Sequence, residues 1–164
     1  MEAGSVDAYL TLVQNALKKR PKKGKARDQT PQRAPGFLGL LALAGDSSER
    51  LIKIYNGSPT IIKDLITEIS WASGPMSTEK AFSMAIEIDW EAEEPARWAP
   101  LKLLDKLSAE PSLFKEVKEK AMAAGVIAVF DAIRDENGDF FGSEGYIQSV
   151  SEEMVVVMRE RFEL

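Results

Sequence analysis

Carboxylates are the side chains of this sequence that are best placed to do chemistry, and they cluster twice. Glu91, Glu93 and Glu94 precede Pro95, and Asp131, Asp135, Glu136, Asn137, Gly138 and Asp139 form a second polar, acidic stretch. A carboxylate pair performs acid–base work only where two environments push its pKa values apart. The neighbours of Glu91–Glu94 do not predict such burial, so this run reads as a solvated loop. The second stretch suggests a calcium loop, since hard cations take several oxygens from one tight turn. With Gly138 at the loop's glycine position, however, the first ligand would be Ile133, so residues 135–138 read as a hairpin turn.

Two absences remove most other chemistry. The chain has no cysteine and no histidine, which excludes thiol nucleophiles, disulfides, thiolate and imidazole metal sites and the Ser-His-Asp triad. Gly24-Lys25 and the series Gly138, Gly142, Gly145 lack the fixed offsets of the phosphate-binding and dinucleotide-binding loops. Trp71, Trp90 and Trp98 have faces that stack on bases, but each sits beside apolar elements and reads as packing. The sequence therefore predicts no enzyme, no catalytic or metal-ligating residue, no cofactor and no small-molecule substrate.

Charge layout carries the positive reading. The 164 residues have a net charge of −5. Lys18, Lys19, Arg20, Lys22, Lys23, Lys25, Arg27 and Arg33 face only Asp28 within residues 18–33, a local +7, which leaves −12 on the remainder. A solvated charge run usually mixes signs, and this one does not. Such a cluster beside an amphipathic helix predicts contact with an anionic membrane or a nucleic acid, each basic residue near an anionic bilayer adding about 1 kcal/mol. Competing readings are a nuclear-localisation signal and a solubilising linker.

The elements that must hold this strap follow from periodicity. Ser5 caps an amphipathic helix to about Arg20, with Val6, Tyr9, Leu10, Val13 and Leu17 on one face. Tyr9, Leu10, Val13 and Leu17 are also candidates for docking in a partner's groove. Residues 21–36 carry three prolines and almost no apolar side chain, and read as a basic disordered linker. The domain proper is expected from Phe37 to Leu164. Residues 37–44 are an apolar run that periodicity leaves open between strand and helical turn. Arg50 to Tyr55 reads as a strand, and Ser58-Pro59 opens a helix with Ile61, Ile62, Leu65, Ile66 and Ile69 as its stripe. Ala81 to Trp90 alternates as a half-buried strand. One helix follows from Pro100 with Leu101, Leu104 and Leu107, and another from Pro111 with Leu113, Phe114, Val117 and Ala121, closed by Gly125. Val126 to Ile133 and Gly145 to Val150 read as paired strands, and 151–164 stays open between helix and strand. The expected class is α+β: a single compact domain with a small, mostly antiparallel sheet packed by helices, preceded by a helical, basic, partly disordered arm. The longest apolar run falls far short of the roughly 20 residues of a membrane span, and the start lacks a signal pattern, so a cytosolic or nuclear location is expected.

From Phe82 onward the order of features resembles the matrix proteins of rhabdoviruses. The matching stretches are Phe82-Ser-Met-Ala-Ile-Glu-Ile-Asp-Trp-Glu91, a strand running into an acidic segment, and residues 114–130, a helix that ends at a glycine and passes into a strand. The basic, proline-containing arm is similar too. The resemblance implies a structural protein of the virion and host cell that self-associates, condenses nucleocapsid and lies beneath an anionic membrane. Glu91, Glu93 and Glu94 would then meet the strap of a neighbouring copy. The second expectation, from another class, is a cytosolic or nuclear adaptor whose N-terminal helix docks on a partner.

Overall fold

The computed structural model describes residues 4–18, 30–72, 90–135 and 143–164. Among them lie eight helices and no strand. These are α1 Gly4–Lys18, α2 Thr30–Ala44, α3 Ser48–Gly57, α4 Ile61–Ala72, α5 Trp90–Ala109, α6 Phe114–Ala123, α7 Val126–Asp135 and α8 Ser143–Phe162. The expected α+β class with its antiparallel sheet is thus corrected to a helical fold. Helix α5 is the centre, packing on α2, α3, α4, α6 and α8.

Several elements form for the reasons the sequence announces. The four isoleucines and one leucine of the α4 stripe, Ile61, Ile62, Leu65, Ile66 and Ile69, are all buried. Leu113, Val117 and Ala121 bury the inner side of the α6 region. Gly125 follows α6 at φ 82°, a left-handed conformation that favours glycine, and its N–H donates to the Met122 carbonyl at 3.1 Å.

Three strands are corrected to helices. Arg50–Tyr55 lies in α3, started by Ser47, whose hydroxyl accepts from the Arg50 N–H at 3.4 Å, and burying Leu51, Ile54 and Tyr55. Val126–Ile133 lies in α7, where Val126, Val129, Phe130 and Ile133 are buried at i, i+3, i+4 and i+7 while Ile127 is exposed. Helical burial of that stripe outweighs the strand preference of β-branched residues. Gly145–Val150 lies in α8, which also settles 151–162 as helix. The strand after Gly125 that supported the matrix-protein resemblance is therefore α7. The run 37–44 belongs to α2, with Phe37, Leu40 and Ala44 buried at helical spacing.

Two boundaries also differ. Helix α2 begins at Thr30, inside the expected linker, with Pro31 in its first turn where a missing N–H leaves nothing unpaired. Helix α5 begins at Trp90, so the expected acidic loop is its first turns and Pro100, expected to open a helix, is buried within it. Of the expected strand over 81–90 only Trp90 is described, at the start of α5, and of the expected turn at 135–138 only Asp135, at the end of α7; the rest of both, with residues 19–29, lies outside the described residues.

Candidate interaction surface

Helix α1 is a packed part of the domain. It lies on α2 and α3, and Val6 and Leu10 are buried in the common core. Two glycines make room for it. The Tyr9 ring lies against Gly39 so closely that a Cβ there would overlap it, and a Cβ on Gly57 would come within 2.6 Å of Leu10 Cδ1. Tyr9 and Leu10, two of the candidate docking residues, are thus already seated on their own chain, while Val13 and Leu17 lie further along the same helix. Sequence reasoning missed Gly39 and Gly57. The signal for Gly39 is a glycine inside the apolar run Phe37-Leu38-Gly39-Leu40, where a helix loses stability unless a neighbour needs the space.

This seating fixes both ends of the basic strap. Lys18 is the last residue of α1, Arg33 lies in α2, and Lys19, Arg20, Lys22, Lys23, Lys25 and Arg27 fall in the connection between the two packed helices. Both ends of the strap therefore lie on helices that pack on each other. Glu91, Glu93 and Glu94 lie on the first turns of α5.

Charged side chains elsewhere tie the helices together. Lys106 on α5 donates to the Gly45 carbonyl and to Asp46, both at 2.8 Å, closing the turn after α2. That hydrogen bond and the Lys106 charge hold the Asp46 carboxyl below its usual range. Glu110, mostly buried, is held low by hydroxyl donation from Ser48 and Ser112, with the Ser112 hydroxyl at 2.9 Å. Tyr55 on α3 donates to Glu116 on α6 at 2.8 Å beneath the Lys120 ammonium, 4.6 Å from its ring; burial raises the phenol pKa. These contacts occupy their groups with structure.

On α8, Arg159 pairs with Asp131 at 2.8 Å, and Arg161 donates to Asp105 at 3.0 Å and to Ser108 at 2.6 Å. Phe162 is buried between Phe114 and Phe130, at ring-centroid distances of 6.3 and 6.4 Å. The opposite side of this helix exposes Val156 and Val157. Among the described residues no group of three or more acidic side chains gathers as a metal would require, and no helix is long and apolar enough to cross a membrane.

No family model, curated protein or solved structure matches the chain.

Proposed function

We propose that this chain is a non-enzymatic assembly protein that grips a polyanionic surface, nucleic acid or anionic bilayer, through the strap from Lys18 to Arg33, and that its copies associate. The observation that carries the reading is the segregation of charge: +7 within residues 18–33 and −12 elsewhere. The seating of α1 on Gly39 and Gly57 supports it, because both ends of the strap are held. Binding of this kind is electrostatic and weakens steeply with salt as counterions are retained by the polyanion. The adaptor reading loses ground, because docking α1 on a partner would first expose the buried Val6 and Leu10.

The test leaves the core untouched. Deleting residues 1–36 would remove Val6, Leu10 and the start of α2, so the informative variant is Lys22→Ser with Lys23→Ser, Lys25→Ser and Arg27→Ser. Wild type should float with anionic vesicles or shift single-stranded RNA at low salt, release both at high salt, and lose that binding in the variant. Wild type that binds neither polyanion at low salt sinks the proposal.

A further inference from the structure

The two sides of α8 are built from different materials. Met154, Val155, Met158 and Phe162 are buried, and both arginines of the last turns, Arg159 and Arg161, are drawn into ion pairs with Asp131 and Asp105. The outer side keeps Val156 and Val157, which are 54% and 47% exposed, together with exposed Glu153 and Glu160, and just past the helix end Glu163 and Leu164 are exposed as well. Positions 153, 156, 157 and 160 recur at three- and four-residue spacing, so they form one row along the helix. Two adjacent exposed valines on a helix whose other described apolar side chains, Met154, Val155, Met158 and Phe162, are buried mark a face that no described residue covers.

The charge of the rim identifies the cover. Pairing this row with the same row of a second copy would set glutamates against glutamates, which an interface opposes. Lysine and arginine suit it, because their aliphatic stems lie along apolar surface while their charged ends reach carboxylates. The one long, predominantly cationic segment of the chain is the strap, with eight basic residues against Asp28.

We infer that the outer face of α8 is the docking surface for the Lys18–Arg33 strap of a second copy. The valines receive the stems, and Glu153 and Glu160 receive the charges, with Glu163 shared with Lys118 at 3.0 Å. Donor and acceptor are different surfaces of each molecule, so the contact is head-to-tail and extends into open chains of copies unless its rotation closes a ring. This deepens the proposed function by naming the self-association contact, and it rests on the strap being the contact element.

Sedimentation velocity of the full chain, without any polyanion, tests it. Wild type should self-associate with rising concentration at low salt and dissociate at high salt. Val156→Ser with Val157→Ser, Glu153→Lys with Glu160→Lys, and Lys22→Glu with Lys23→Glu and Lys25→Glu should each weaken association by about tenfold or more. Combining the last two sets should restore it, since the charges are exchanged across the contact. Circular dichroism of each variant should match wild type, the α8 substitutions sitting on exposed positions. A wild type that stays monomeric at low salt, or an association that survives reversal of the strap lysines, overturns the inference. Polyanion binding by a chain that never self-associates would leave the proposed polyanion contact standing while removing this one.

Discussion

Helices α1 and α8 each carry an apolar row, and the chain treats the two rows differently. The row on α1 is covered: Val6 and Leu10 are buried and Tyr9 lies on Gly39. The outer row on α8 is left in water, with Val156 and Val157 about half exposed and glutamates beside them. The difference teaches what each row is for. A row met by glycine notches and free of charge is a seat in the core, whereas a row edged by a single sign of charge waits for a partner of the other sign.

The largest effect that separates the two rows is on stability. Leu10→Ala should cost about 2–3 kcal/mol in chemical denaturation, as for other buried leucines. A cost below ~0.5 kcal/mol would mean that α1 is not seated. Gly39→Ala sharpens the point through its sign. The new methyl overlaps the Tyr9 ring, so the substitution should destabilise by about 1 kcal/mol in wild type. In a Tyr9→Ala background it should instead stabilise by up to about 1 kcal/mol, because alanine is then simply the better helix former. Val156→Ser, on the uncovered row, should change stability by no more than about 0.5 kcal/mol.

The smallest effect is pH dependence. Asp46 and Glu110 have folded pKa values below their ordinary 3.8 and 4.5. A depressed carboxyl contributes stability above its unfolded pKa and loses it as pH falls through the folded value. Stability should therefore decline below about pH 4.5, and Glu110→Gln should flatten that decline. An acid limb of unchanged slope in the variant would show that Ser48 and Ser112 do not hold this carboxylate.

The legible part of the molecule was the part with one dominant signal. Ser58-Pro59 and the stripe to Ile69 mark α4 unambiguously, as do Leu113, Val117, Ala121 and Gly125 around α6. The charge asymmetry needs no coordinates at all. Misreading came where two signals competed. Val126–Ile133 is rich in β-branched residues, yet Val126, Val129, Phe130 and Ile133 also satisfy the helical period, and tertiary burial decided for the helix. Pro100 reads locally as a helix opener, but α5 runs through it because its leucines are buried on five neighbouring helices. The outer row of α8 stayed illegible because exposure depends on which face α5 and α7 cover, and spacing alone does not say.

If the strap is an electrostatic grip, the slope of log affinity against log salt for single-stranded RNA reports it directly. Replacing Lys22, Lys23 and Lys25 by serine should make that slope shallower by roughly 0.7 per lysine, about 2 in all. A slope unchanged by the three substitutions would contradict the account, because the lysines would then touch no phosphate.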